Sequence, residues 1–128
     1  MFNLKKKSEY GLQLMIALAK QYHQGPLPLR KIAKEEKLPY KFLEQLVFPL
    51  RLAGLLEAKE GKGGGYFLTK APNKISVAQV IEALEGPMQL GHCFGCPKVD
   101  FCGQKDVWSE VGEKITQTMK GKTLKDLI

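Results

Sequence analysis

The chain has 128 residues, of which 44% are hydrophobic and 26% are charged, a composition typical of one soluble globular domain. No apolar run is long enough to cross a bilayer, and the N-terminus lacks a signal-peptide pattern, so we expect a cytoplasmic protein with no membrane partner. Most of the net charge of +7 lies in residues 1–62, with 12 Lys or Arg and 6 Asp or Glu, against 8 and 7 in residues 63–128. A basic half favours a polyanionic partner, although a solvated basic surface is the simpler alternative.

Three helices are predicted in the first half of the chain. The first covers residues 9–22 and is apolar around most of its circumference, which predicts a buried central helix that ends before Gly25. The second begins near Leu29. After a short turn at residues 37–38 the third begins at Pro39, a residue suited to the first turn of a helix.

The third helix has one apolar and one polar face. The predicted inward residues are Phe42, Leu43, Leu46 and Val47, and the predicted outward residues are Tyr40, Lys41, Glu44 and Gln45. We expect Pro49 to break or kink the helix near Phe48. Two helices joined by a short turn, with the small Ala33 in the first, indicate a helix-turn-helix.

A glycine-rich hairpin is predicted next. Residues 55–59 and 66–69 have the pattern of two short strands, and the connection between them contains the sequence GKGGG at residues 61–65. A helix-turn-helix followed by such a wing, in the basic half of the chain, favours double-stranded DNA as the partner over an ordinary helical hairpin and turn. The candidate DNA-binding residues are Tyr40, Lys41, Glu44, Gln45, Lys62, Gly63 and Gly64.

Two further helices are predicted in the second half. Ser76 and Gln79 fit a capping box for one that ends at Gly86. The other covers about residues 104–119, and its apolar stripe comprises Val107, Trp108, Val111, Ile115 and Met119. A domain of this size has little surface left to cover that stripe, so a homodimer interface is favoured over packing against the chain's own helices.

All three cysteines of the chain lie between these two helices, in HCFGCPKVDFC at residues 92–102. Three thiols at such close spacing form a poor disulfide framework, and metal binding or redox chemistry is the better interpretation. A zinc site needs a fourth strong ligand, and His92 is too close to Cys93 to serve without strain. An iron–sulfur cluster tolerates a weaker fourth ligand. The spacing alone leaves a cluster, zinc and redox thiols open.

Several segments together resemble the Rrf family of winged-helix transcription regulators, over nearly the full length of the chain. The matching segments are LRKIA at 29–33, FLEQL at 42–46, LRLAGLLEA at 50–58, GKGGGYFL at 61–68 and TLKDLI at 123–128, with Trp108 six residues after the last cysteine. The resemblance implies a homodimer of winged helices. In cluster-binding members it also implies three cysteines before the dimerisation helix, which favours a cluster, [4Fe-4S] or [2Fe-2S], on Cys93, Cys96 and Cys102.

The chain departs from the family pattern at positions that concern the fourth ligand and the wing. Some members use a histidine three residues after the last cysteine, where this chain has Lys105. Others use a carboxylate of the partner subunit at the start of the first helix, and Glu9 lies at the matching position of this chain. The resemblance therefore implies Glu9 as the fourth cluster ligand, with His92 as the fallback. Glu60 replaces an arginine that some members place in the minor groove, a role that Lys62 could take over.

The sequence therefore predicts a mainly α protein with a small β-wing. We divide it into a winged helix-turn-helix domain at residues 1–85, a cysteine segment at 86–103, and a dimerisation helix with a C-terminal tail at 104–128. The predicted function is a DNA-binding transcriptional regulator that senses iron, redox or nitric-oxide state through its cluster. The alternative is a zinc-stabilised DNA-binding protein without a sensing cluster. We find no catalytic constellation and predict that the chain is not an enzyme.

Overall fold

The computed structural model describes residues 4–87 and 103–128 of the chain. This part of the chain is mainly helical with one antiparallel hairpin, as predicted, and it also contains two short 3₁₀ turns. None of the helices in these residues is long and apolar enough to cross a membrane. The elements are α1 (Lys6–Lys20), α2 (Leu29–Glu36), α3 (Tyr40–Leu52), β1 (Leu56–Lys59), β2 (Gly65–Leu68), α4 (Val77–Glu85) and α5 (Lys105–Lys120).

The central helix of the core is α1. It packs against α2, α3, α4 and β2, and Leu14 and Met15 are fully buried within it. The helix begins at Lys6, three residues before the predicted start, and Glu9 therefore lies in its first turn. The extra turn is mostly charged, but its Ser8 is fully buried. Tertiary packing thus extends the helix beyond its apolar pattern.

Pro49 does not break the third helix, one of the two outcomes, a break or a kink near Phe48, that the sequence predicts. The α3 helix continues through it to Leu52, and the amide of Ala53 donates to the carbonyl of Pro49 at 3.0 Å. Leu50, the next residue, is fully buried. Burial of this side chain on the core side of α3 offsets the hydrogen bond that proline cannot donate.

The hairpin pairs β1 with β2, and Leu56 faces Leu68 while Lys59 faces Gly65. Both strands lie within one residue of the predicted ranges. At the start of α4 the capping box is confirmed, because the amide of Gln79 donates to Ser76 Oγ at 3.2 Å and the Ser76 amide donates to Gln79 Oε1 at 2.8 Å.

The C-terminal segment returns to the core next to α4. The amide of Leu124 donates to the carbonyl of Ile75 at 3.0 Å, and the Leu124 side chain is fully buried. The Asp126 carboxylate accepts a hydrogen bond from the Thr123 amide at 2.9 Å, and this bond lowers the pKa of Asp126. These contacts hold the chain that follows α5, and α5 itself packs against α4.

Candidate nucleic-acid interface and metal ligands

A tight turn fixes the angle between α2 and α3. Lys37 has left-handed backbone angles (φ 56°, ψ 47°), and the amide of Leu38 donates to the carbonyl of Ala33 at 2.9 Å, which ends α2. The Leu38 side chain is buried and anchors the turn in the core. The two helices therefore have the defined geometry of a helix-turn-helix, in which the second helix is the one that enters the major groove.

The exposed face of α3 carries three of the four polar candidates. Lys41, Glu44 and Gln45 are exposed, whereas Leu43 and Leu46 on the opposite face are buried. These three side chains can exchange hydrogen bonds with base edges, since a lysine donates to guanine, a glutamate accepts from cytosine and a glutamine pairs with adenine. The face continues toward the C-terminal end of α3 with Phe48, whose side chain is 69% exposed.

Tyr40, the fourth candidate on α3, is half-buried and has a different environment. The guanidinium of Arg30, in the first turn of α2, lies 4.3 Å from the centroid of the Tyr40 ring. This is a cation–π contact, which restrains the arginine at the surface of the helix-turn-helix. Sequence reasoning missed Arg30. The signal that could have revealed it is a basic residue in the first turn of the helix before the recognition helix, where a helix crosses the DNA backbone.

The wing exposes its tip, and its glycines are required by the backbone. Lys62 is exposed at the tip, next to Gly63 with a φ of 77°. A Cβ on Gly64 would collide with the carbonyl oxygens of Lys59 and Gly61. The tip is therefore narrow, and its backbone can approach a phosphate or a groove closely.

The base of the wing is joined to the helix-turn-helix at two places. Leu27, in the connection between α1 and α2, exchanges two backbone hydrogen bonds of 2.9 Å with Tyr66 of β2. The guanidinium of Arg51 in α3 donates to Glu57 Oε1 of β1, from Nη2 at 2.8 Å and from Nε at 3.2 Å. The Leu27–Tyr66 bonds are the firmer of these two connections, because an exposed ion pair contributes about 0–1 kcal/mol.

The predicted metal ligands lie mostly outside the described residues. Cys93, Cys96, Cys102 and the fallback ligand His92 belong to the segment at 88–102. Within residues 4–87 and 103–128, no group of three or more His, Cys, Asp or Glu side chains is placed to hold a metal ion. Glu9 is described, and its side chain is 47% exposed and 3.7 Å from Lys6 Nζ. An exposed ion pair of this kind contributes about 0–1 kcal/mol, so it offers little resistance to an exchange of Lys6 for a metal.

Helix α1 contacts both the end of α4 and the start of α3. Gly11 packs directly against the side chain of Leu84, and Lys7 Nζ lies 3.3 Å from Glu85 Oε1. On another side of α1, the ring of Tyr10 packs edge-on against Phe42, with 5.5 Å between the ring centroids. Leu84 and Glu85 are the last residues of α4, and Cys93 follows only eight positions later in the chain.

Comparisons with known proteins identify one family. The profile of Rrf2, described as an iron-dependent transcriptional regulator, matches residues 4–128. The chain is 35% identical to the regulator CymR of Bacillus subtilis, over 97% of this chain and 88% of CymR. It is 33% identical to the regulator IscR of Pectobacterium carotovorum, over 98% of this chain and 78% of IscR.

Solved structures of two relatives have the same fold. The structure of the B. subtilis CymR, described as the global cysteine regulator, superposes with a TM-score of 0.87 at 35% identity and covers 99% of this chain and 96% of that one. The structure of T. potens IscR superposes with a TM-score of 0.83 at 34% identity, over 98% and 85% of the two chains.

Proposed function

Because the chain belongs to the Rrf2 family of DNA-binding transcriptional regulators, we propose that it controls transcription through an iron–sulfur cluster that senses iron, redox or nitric-oxide state. The relatives are regulators and not enzymes, which confirms that part of the sequence prediction. The observation that carries the sensing proposal is the place of the three cysteines, directly after the helix α4 that packs on α1.

DNA recognition is assigned to α3 and the wing. Lys41, Glu44 and Gln45 are exposed together on the helix that enters the major groove in proteins with this motif. Lys62, Gly63 and Gly64 form the narrow tip of the wing, where a cation and a closely approaching backbone suit phosphate oxygens. Tyr40 belongs to the same surface, but its contact with Arg30 favours a supporting role over a direct base contact.

The donor set suits an iron–sulfur cluster. Cys93, Cys96 and Cys102 supply three thiolates, which are the usual protein ligands of such clusters, and a fourth ligand of weaker type is tolerated. Glu9 is the candidate for that position, donated by the partner subunit of a homodimer. Its exposed carboxylate at the surface of α1 is consistent with a ligand that reaches another chain. The same donor set suits a [4Fe-4S] and a [2Fe-2S] cluster.

Helix α1 offers a physical connection from the sensor to the DNA-binding surface. A rearrangement of the cysteine segment would displace the end of α4, where Leu84 and Glu85 contact α1. The same helix holds Phe42, in the first turn of α3, through Tyr10. Close-packed interfaces respond to such displacements as units, because their atoms have little free space. A coupling free energy of about 1–3 kcal/mol would change DNA affinity about 5–150-fold.

We also propose that the protein is a homodimer and that α5 forms the interface between its two subunits. Within the described part of the chain α5 has no buried residue, although it carries an apolar stripe in which Val107 is 53% exposed. A second copy would cover this stripe and would place two recognition helices on successive half-sites of the operator.

The decisive experiment is anaerobic purification followed by absorption spectroscopy and by iron and sulfide analysis. We expect a brown protein with acid-labile sulfide, and loss of the colour in Cys93→Ala, Cys96→Ala and Cys102→Ala. DNA affinity is then compared between the cluster-loaded and the cluster-free protein. A colourless protein that contains zinc after growth with ample iron would contradict the sensing proposal.

A regulator without a cluster is the second candidate. It is favoured by the similarity to CymR, whose description names cysteine and not iron. In that case the three cysteines would bind zinc or remain free thiols, and the DNA-binding surface would be unchanged. The metal analysis above separates the two candidates, because zinc lacks the visible charge-transfer bands that thiolate-bound iron shows.

A further inference from the structure

The exposed face of α3 contains an apolar residue that the predicted DNA contacts leave unexplained. Phe48 follows Gln45 by three positions, so the residues Lys41, Glu44, Gln45 and Phe48 have relative spacings of 0, 3, 4 and 7 and share one helix face. The Phe48 side chain is 69% exposed. A single exposed apolar side chain is common on protein surfaces, so a binding role for Phe48 is inferred from its place among the polar residues of this face.

The spacing matches the way in which recognition helices contact DNA. In homeodomains, one class of helix-turn-helix protein, the recognition helix contacts the major groove with side chains at relative spacings of about 0, 3, 4 and 7. With a rise of about 1.5 Å per residue, Phe48 lies about 10 Å, or two helical turns, along α3 from Lys41. Phe48 therefore completes the set of residues that a groove-bound α3 would present to the base pairs.

We infer that Phe48 contacts the C5-methyl group of a thymine and makes the protein prefer thymine at one position of each operator half-site. This inference rests on the proposed assignment of the exposed α3 face to base recognition. The thymine methyl is the apolar group that base pairs display in the major groove, and phenylalanine is one of the side chains that contact it. The neighbouring Glu44 and Gln45 carry the hydrogen-bonding groups, so the two kinds of contact complement each other.

A partner protein is the alternative to DNA as the molecule that contacts Phe48. Two observations disfavour a protein partner. Phe48 shares its face with three polar residues assigned to DNA, so a protein bound there would exclude the DNA from the same helix. The apolar stripe proposed for the homodimer lies on α5, a different element. Continuity with the base-reading residues therefore favours DNA.

Leu52 provides a matched control on the same helix. Its side chain is 78% exposed and lies four residues beyond Phe48. This places Leu52 about 16 Å from Lys41 along the helix axis, one turn further than Phe48 from the N-terminal part of the helix, which is the part that contacts base edges. Leu52 and Phe48 thus share exposure and apolar character, but Phe48 lies closer to the base-contacting end of α3.

The test replaces thymine with deoxyuridine, which lacks only the methyl group. The full chain first selects its preferred duplex from a random-sequence DNA pool, and each thymine of that duplex is then replaced in turn. We expect the wild-type protein to lose about fourfold in affinity at one thymine per half-site, the effect of one buried methyl group. Phe48→Ala should bind both duplexes equally, whereas Phe48→Leu and Leu52→Ala should keep the preference.

The outcomes separate this inference from the DNA-surface assignment. If no thymine is sensitive to the replacement, or if Phe48→Ala keeps the full preference, the role of Phe48 is wrong. The role of Phe48 in DNA binding is also wrong if Phe48→Ala lowers the oligomer mass in light scattering and leaves the thymine preference intact. That result would indicate a protein contact. If Gln45→Ala alters base preference at no position, the assignment of the α3 face itself fails.

Discussion

Gly11 of α1 lies directly against the side chain of Leu84 in α4, with no space between them for a Cβ atom. The contact joins the central helix to the last turn before the cysteine segment. A glycine in a helix interior costs about 1 kcal/mol relative to alanine, so its presence requires a compensating gain. Here the gain is the close approach of two helices, which makes α1 sensitive to the position of the end of α4.

Enlarging Gly11 should therefore lower stability. Gly11→Val forces the new side chain into Leu84 and should decrease the free energy of unfolding by about 1–3 kcal/mol. Leu84→Ala alone should cost about 2–5 kcal/mol, since it leaves a cavity. The double variant should cost less than the sum of the two, which denaturant unfolding measures. Gln13→Val, at an exposed site of the same helix, is the control and should stay within about 0.5 kcal/mol of the wild type.

The fold follows from sequence patterns where these patterns are local. Ser76 and Gln79 predicted the start of α4, and the glycine run at residues 61–65 predicted the hairpin. Both predictions succeed because capping and turn formation depend on neighbouring residues. The continuation of α3 through Pro49 was not predicted, because the burial of Leu50 on the core side of α3 is a tertiary contact that no local rule contains. The extra first turn of α1, with its buried Ser8, has the same explanation.

The contact between Arg30 and Tyr40 predicts a role for Arg30 in DNA binding. Arg30→Ala should weaken binding to all sequences about equally and reduce the slope of log K against log salt by about 0.9 per protomer, if Arg30 neutralises one phosphate. Tyr40→Leu should produce part of this loss because it removes the ring that holds the guanidinium, whereas Tyr40→Phe should preserve binding. An unchanged salt slope in Arg30→Ala would show that the pair only supports the fold.

Replacing Lys62 should change overall DNA affinity, whereas replacing Gln45 should change base preference. Lys62→Ala removes a phosphate contact of the wing, so affinity should decrease for every sequence while base preference is retained. Gln45→Ala removes hydrogen bonds to a base, so preference should relax at one base pair, at a cost of about 1–3 kcal/mol. Titration of operator and single-base variants at several salt concentrations distinguishes the two patterns. Intact operator binding in both variants would place the interface elsewhere.

A charge in the stripe of α5 should dissociate the proposed dimer. Trp108 is half-buried, and its indole N–H donates to Gln104 Oε1 at 3.0 Å. Trp108→Asp places a carboxylate among the apolar residues of the stripe, and light scattering at micromolar concentration should then give the monomer mass. Ser109→Asp, on the exposed neighbouring position, is the control and should remain dimeric. A monomeric wild-type protein at that concentration would contradict the dimer.

The candidate site has two parts, the DNA-binding surface and the metal ligands, and the sequence predicts them to different degrees. Lys41, Glu44 and Gln45 followed from helical spacing, since one face of α3 had to be buried. Arg30 and Phe48 were missed, the first because its partner Tyr40 belongs to another helix and the second because the predicted break near Phe48 ended the outward face before that residue. The assignments of Cys93, Cys96, Cys102 and Glu9 remain predictions.

Glu9 is expected to be the fourth cluster ligand, donated by the partner subunit. Its carboxylate is exposed in the first turn of α1, and its neighbour Tyr10 contacts Phe42 of α3. A ligand at this place would tie the cluster of one subunit to the helix that supports the recognition helix of the other. Because an oxygen ligand binds iron less tightly than a thiolate, it is also the position where an oxidant or signal molecule would enter.

Glu9→Ala and Glu9→Gln test this role. Both variants should assemble a cluster on the three cysteines, but with an altered absorption spectrum, faster loss in air and a smaller difference in DNA affinity between cluster-loaded and cluster-free protein. A first-turn acid that only interacts with the helix dipole would instead contribute about 0.3–1 kcal/mol to the stability of the cluster-free protein. Thermal unfolding of the cluster-free variants measures that contribution separately. An unchanged spectrum, air stability and DNA response would assign Glu9 to the helix dipole, and His92→Ala would then be the next variant to examine for the fourth ligand.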